Sequence, residues 1–170
     1  MGPLQQTGAV PLLDIDGYWA LGIGWLRDRG HIDQRGARVL SKRFGAGRDL
    51  FAHYEPVLLH GDLWPPACFF APDSNRFHGM IDFRDASIGP AAWEFSLVEL
   101  EKREWPEELL DAYASQVELP GHFTQEVAFY RLVNTVRLLA WMEPWAPESY
   151  RPTVYRNVLE AVNRYVEGAA

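Results

Sequence analysis

The chain has 170 residues, 48% hydrophobic and 14% aromatic, enough to bury one sizeable core, so a single domain spanning residues 1–170 is expected. A formal net charge of -7 argues against binding to nucleic acid, whose binders need clustered Lys and Arg to displace counterions; it suits plain solubility or a cationic small-molecule partner. The single cysteine, Cys68, excludes an intrachain disulfide framework and a cysteine-rich zinc site, and points to the cytoplasm. The opening stretch MGPLQQTGAVPLLDID lacks a basic region followed by a long apolar one, and no apolar run approaches membrane-spanning length, so no membrane association is expected.

In chain order, Tyr18, Leu21, Trp25 and Leu26 recur at helical spacing and predict a helix over Asp16–Arg29, ended by Gly30. A second helix follows the candidate N-cap Asp33, carries Val39, Leu40 and Phe44, and meets stop signals at Gly45 and Gly47. The character then changes. Pro56-Val57-Leu58-Leu59 is a short apolar run ending in His60-Gly61-Asp62, and Cys68-Phe69-Phe70 is another before the turn Pro72-Asp73-Ser74-Asn75. A third run, His78 to Phe83, follows that turn, and the group reads as small strands and a hairpin with polar residues at their ends.

From Trp93 the signal is helical. One candidate covers Ala92–Lys102, and another opens at Pro106, in the N1 position, and reaches Val117. A long helix N-capped by Thr124 carries Phe129, Val133, Val136 and Ala140 on one stripe and stops before Pro144; the last runs from Pro152 to Val166. No internal repeat or linker divides the chain.

The residues that carry chemistry lie between His60 and Glu94. Phosphoryl transfer needs one carboxylate to orient the attacking hydroxyl and take its proton, and a second to hold the magnesium that bridges phosphate oxygens. Asp62, in LLHGDLW, and Asp82, in MIDFRDA, each follow a strand-like run, so a hairpin would bring both to one rim. On spacing alone, His60, Asp62, Asp82 and Asp85 would also serve as a metal-hydrolase cluster, although no second His motif supplies the usual ligands.

The segment from His60 to Ala67 matches the pattern H-G-D-L-x-x-x-N except at its last position, and Gly79 to Glu94 runs close to G-x-I-D-F-x-D-A-x-I-G-D-P-x-x-D. This ordered pair resembles the aminoglycoside phosphotransferase and choline kinase family, relatives of protein kinases. The resemblance implies an α+β fold, mostly α, built as a protein-kinase-like C-terminal helical lobe whose small β-hairpin carries both motifs. It further implies transfer of the γ-phosphate of ATP or GTP, with Mg2+, to a hydroxyl of a small cationic molecule such as an aminoglycoside-like antibiotic or an amino alcohol. By the same resemblance Asp62 is the catalytic base and Asp82 the magnesium ligand. His60 and Glu94 brace the catalytic loop, and Asp85 stands either beside the metal ligand or simply in a turn.

Departures from the pattern bear on activity. The asparagine expected to supply a neutral oxygen to a second magnesium is Ala67, and Pro90 replaces an acidic residue. The residues before His60 read as two helices, with no glycine-rich loop between strands and no V-A-x-K strand, so the nucleotide-gripping lobe is expected to be absent and turnover by this chain to be low. A noncatalytic, degenerate binding module is the alternative. Trp19, Trp25, Trp93, Trp105, Trp141 and Trp145 are read as core packing in preference to an aromatic cage, and Trp64 as either facing substrate or packing on the helices. The acidic run Glu99, Glu101, Glu104, Glu107 and Glu108 is read as a solvated helix face, with capture of substrate ammonium groups as the other reading.

Overall fold

The computed structural model describes residues 10–63, 65–74, 76–97, 107–145 and 151–168. Its first helix, α1 (Ile15–Asp28), is capped by Asp14, whose Oδ1 accepts from the Gly17 N–H at 2.8 Å. The next, α2 (Gln34–Leu50), is capped in the same way by Asp33, with 2.7 Å from the Gly36 N–H. It runs through the expected stops at Gly45 and Gly47. Gly47 stays helical because its missing side chain makes room for the Phe129 ring, which a Cβ would approach to 2.2 Å. The buried face of α1 also differs from expectation: Trp19, Gly22 and Leu26 point inward, whereas Leu21 is 58% exposed.

Among the described residues, short strands follow: β1 (Pro56–Leu59), β2 (Cys68–Phe70), β3 (Phe77–Met80) and β4 (Ser87–Pro90). The β2–β3 pair is the expected antiparallel hairpin, with a register shift at Phe69/Phe70. The third apolar run is a strand only to Met80, because Asp82 turns into the left-handed region (φ 68°, ψ 48°) and opens a 3₁₀ turn at Phe83–Asp85. A second ladder pairs β1 with β4, antiparallel, from Pro56↔Pro90 to Leu59↔Ser87. Its outer edge is covered by the N-terminal segment, where the Leu13 N–H donates to Ile88 O and the Ile88 N–H to Pro11 O.

Helices α3 (Ala92–Leu97), α4 (Glu107–Ala114), α5 (Phe123–Trp145) and α6 (Arg151–Glu167) complete the chain. The extension of the first expected helix from residue 98 to Lys102, together with Pro106, lies outside the described residues. Helix α5 passes Pro144, whose missing N–H costs a single ladder bond in the final turn. It is also buried on most sides and not along one stripe: Val127, Tyr130, Leu132, Val133, Val136 and Leu139 are all inside. Helices α1, α3 and α6 pack around it.

Trp19 stacks on Phe44 with ring centroids 4.5 Å apart, and Trp93 is 1% exposed, so both are core residues. A buried polar link ties α5 to α3: the Asn134 amide donates to Ser96 Oγ at 2.7 Å, and Ser96 Oγ donates to Trp93 O at 2.6 Å. Above it, the Arg137 guanidinium lies 4.7 Å from the Tyr18 ring centroid. Among the described residues, no helix is long and apolar enough to cross a membrane.

The α1–α5 contact is set by Gly22, where a Cβ would lie 2.5 Å from the Val136 carbonyl oxygen, a backbone atom that cannot swing aside. Gly22→Ala is therefore expected to cost about 1–3 kcal/mol through overpacking. Gly24, on the same helix, faces open space, and Gly24→Ala is expected to stabilise by about 0.5–1 kcal/mol through the entropy of the unfolded chain. Urea unfolding midpoints of the two variants should move in opposite directions.

Candidate functional site

Strand β1 delivers the chain to His60 and Gly61, and β4 delivers it to α3, whose first turn carries Glu94. Because β1 and β4 are ladder partners, the half-buried Glu94 side chain reaches back across the ladder to the loop after β1. Its Oε2 accepts from the His60 N–H at 2.6 Å and its Oε1 from the Gly61 N–H at 2.9 Å. Charge-assisted bonds of this kind are among the stronger ones available to a loop backbone. Burial pushes the Glu94 carboxyl above its ordinary range, while the Gly61 and His60 amides pull it back down.

The same loop is fixed to the Asp82 segment. His60 is 4% exposed; its Nε2–H donates to Ile81 O at 2.8 Å and its ring sits 4.7 Å from that of Phe83. Since a carbonyl only accepts, the imidazole carries its proton on Nε2, which leaves the buried Nδ1 without a hydrogen-bond partner. The Ile81 N–H donates to Ala67 O at 3.0 Å. Gly61 has φ +83°, and a Cβ there would fall 2.1 Å from the Asp85 carbonyl oxygen, so the two loops approach as closely as they do only because residue 61 is glycine.

These contacts place Asp62 and Asp82 on adjoining loops. Asp62, half-buried, directly follows Gly61; Asp82 is exposed, directly follows Ile81, and holds the left-handed conformation uncommon for any residue other than glycine. Among the described non-glycine residues no other has positive φ. Strained backbone of this sort persists only where its surroundings over-determine it, here the Ile81 pairings on one side and the 3₁₀ turn on the other. Asp85 contributes its backbone carbonyl to the Gly61 contact, and its carboxylate lies 3.7 Å from Arg84 Nη2 in an exposed pair of little energetic weight.

Ala67 is 2% exposed, and its methyl group offers no ligand atom. Among the described residues, no group of three or more His, Cys, Asp or Glu could hold a metal ion, so the hydrolase alternative has no ligand set there. For acceptor binding the sequence offers only Trp64 and the acidic run Glu99, Glu101, Glu104, Glu107 and Glu108, each as one of two readings. The structure adds an apolar cavity of about 580 Å³ beside the loop, lined by Leu59, Leu63, Glu94, Phe95 and Leu109. Its walls come from elements distant in sequence, which no local pattern reveals. Trp64, Trp105 and the acidic residues Glu99, Glu101 and Glu104 lie outside the described residues.

A loop Asp after one strand of a ladder, a second Asp after a hairpin, and a helical body beneath them define a kinase-like α+β fold, mostly α. The chain belongs to the phosphotransferase enzyme family, whose model matches residues 25–128 and so takes in both motif segments and Glu94. Among solved structures, it is similar to the GDP complex of wild-type aminoglycoside 2'-phosphotransferase-IIIa, at 22% identity and TM-score 0.61, over 95% of this chain and 54% of that one. A GDP complex of a mutant of that enzyme gives 22% identity and TM-score 0.64, over 96% and 55%. The chain thus spans about half the length of these structures. No curated protein matches it.

The Glu94 clamp predicts a pH signature. With its folded-state pKa raised, the native protein holds this proton more tightly than the unfolded chain, so the contribution of Glu94 to stability is fully present at low pH and is lost as pH rises through the window above the ordinary carboxylate range. Glu94→Gln removes that contribution to the slope, and it turns an amide NH₂ toward one of the two backbone donors, at a cost of about 1–3 kcal/mol at neutral pH. Urea titrations of parent and variant between acidic and neutral pH should therefore show a less stable variant with a flatter pH dependence.

Proposed function

We propose that the chain supplies the catalytic half of a small-molecule kinase that transfers the γ-phosphate of ATP or GTP to a hydroxyl of a small cationic acceptor. The observation that carries this reading is that His60 joins the Asp62 loop to the Asp82 loop while Glu94 holds the His60–Gly61 backbone, within the segment matched by the family model. In this reading Asp62 orients the acceptor hydroxyl and takes its proton as the oxygen attacks the γ-phosphorus and the bond to the leaving diphosphate breaks. The cationic acceptor is supported by the net charge of -7 and by the aminoglycoside in the name of the solved neighbours, and the nucleotide by the GDP they contain.

The donor set suits magnesium that arrives with a nucleotide. Asp82 presents one exposed carboxylate, and magnesium characteristically takes one or two carboxylates, keeps several waters and completes its shell with substrate phosphates. When bound, the ion offsets charge on the transferring phosphate. Ala67 offers it nothing, so Asp82 alone would hold it from these loops.

Nearly all catalysis of phosphoryl transfer is positioning, and among the described residues no strand precedes Pro56 to carry a phosphate-gripping loop or lysine. The chain by itself is therefore expected to turn over slowly. Incubated with Mg2+, γ-labelled ATP or GTP, and a panel of aminoglycosides and amino alcohols, it should transfer little label. Fused behind the strand-rich lobe of a homologous phosphotransferase, it should transfer label readily, and Asp62→Asn should lower that rate by about 10²-fold or more. Transfer insensitive to Asp62→Asn would sink the assignment. Ala67 favours a second reading, a noncatalytic binding module; calorimetric binding of magnesium nucleotide without turnover, even in an Ala67→Asn fusion, would support it.

A further inference from the structure

The Glu94 clamp is only as well aimed as the helix that carries it. Helix α3 has six residues, Ala92–Leu97, too few to hold an orientation by helical propensity, so its roll about its own axis is set by its neighbours. Successive residues stand about 100° apart around a helix, and a roll of half that angle would swing Glu94 away from the His60 and Gly61 amides.

The grip comes from α5. Trp93 and Ser96, three residues apart, form the buried side of α3, while Glu94 leaves the helix toward the loop. The Asn134 amide donates to Ser96 Oγ, and one turn further along α5 the Arg137 guanidinium lies 5.6 Å from the Trp93 ring centroid. Ser96 commits its only hydroxyl proton to Trp93 O, so toward Asn134 it can only accept, and this fixes which way the Asn134 amide faces.

That orientation carries a penalty. Asn134 is 0% exposed, and its Oδ1 is left without a hydrogen-bond partner. An orphaned buried acceptor costs more than a typical hydrogen bond returns, and a leucine of similar volume would fill the same place with no polar atom to satisfy. Judged by stability, asparagine is the poorer residue here. What it supplies and leucine cannot is direction, because a hydrogen bond constrains an angle and apolar contact does not. We propose that Asn134 is a positioning residue for the phosphoryl-transfer site: through Ser96 it sets the roll of α3, and through that roll it aims the Glu94 carboxylate at the His60 and Gly61 amides. Its catalytic consequence rests on the kinase reading; its effect on the clamp does not.

Amide hydrogen exchange and urea unfolding of the purified chain separate positioning from packing. In Asn134→Leu the urea midpoint should stay at or above the parent's, since the orphaned oxygen leaves with the amide, yet the His60 and Gly61 amides should exchange at least tenfold faster relative to those of α5. Val136→Ala, a cavity in the same helix, should speed all of these amides alike. In a Glu94→Ala background, where the clamp is already gone, Asn134→Leu should bring no further acceleration at His60 and Gly61. In the fusion with a strand-rich lobe, Asn134→Leu should lower kcat at least tenfold and leave the acceptor KM unchanged. A fusion that is inactive with Asn134 in place would remove the kinase reading, and exchange would still decide this one. Should Asn134→Leu fail to fold, Ser96→Ala takes its place, with the same selective acceleration expected. Unchanged His60 and Gly61 exchange, acceleration shared equally with α5, or full additivity with Glu94→Ala would each overturn the proposal.

Discussion

One carboxylate holds this site together. Glu94 accepts from two consecutive backbone amides, His60 and Gly61, that belong to no helix or strand ladder and would otherwise need water in a buried place. With those donors satisfied, the loop after β1 lies flat against the head of α3. His60 is then free to turn its ring toward the Asp82 segment, donate to Ile81 O and pack on Phe83. Removing Glu94 would thus free the His60–Gly61 backbone and loosen the His60–Ile81 bond that depends on it, while the Ile81 N–H to Ala67 O bond remains.

The clamp works only because other residues keep out of its way. Gly61 omits the Cβ that would strike Asp85 O, and the buried Ala67 brings its carbonyl to the Ile81 N–H. Asp82 accepts a left-handed backbone that costs on the order of 1–3 kcal/mol, an expense consistent with its flanks being pinned on both sides. Pre-organisation of this kind matters in phosphoryl transfer, where orientation and electrostatics outweigh covalent chemistry.

Much of this is legible in the sequence. The caps at Asp33 and Gly30, the strands at Pro56–Leu59 and Cys68–Phe70, and the ordered pair of motifs all follow from local rules, and the fold contains the same elements. What escaped local rules was decided by distant partners. Ser87–Pro90 has a single apolar aliphatic residue followed by a glycine and a proline and does not look like a strand, and it becomes one because β1 and the Pro11–Leu13 segment pair with its two edges. Gly47 reads as a helix stop until Phe129 is seen to need its space, and Leu21 reads as core until Gly22 sets which face of α1 meets Val136. The cavity beside the loop, assembled from three or more separated segments, has no signature in the linear sequence.

The β1–β4 ladder ends where Pro56 faces Pro90. Ile88 turns both its N–H and its C=O to the Pro11–Leu13 segment, so by the alternation of the strand Pro90 turns outward too, and a proline fits there without costing the ladder a bond. The chain then turns, and within two residues Ala92 begins α3. That early turn puts Glu94 one helical step from the ladder, close enough for a side chain of its length to reach the loop at the opposite strand's end.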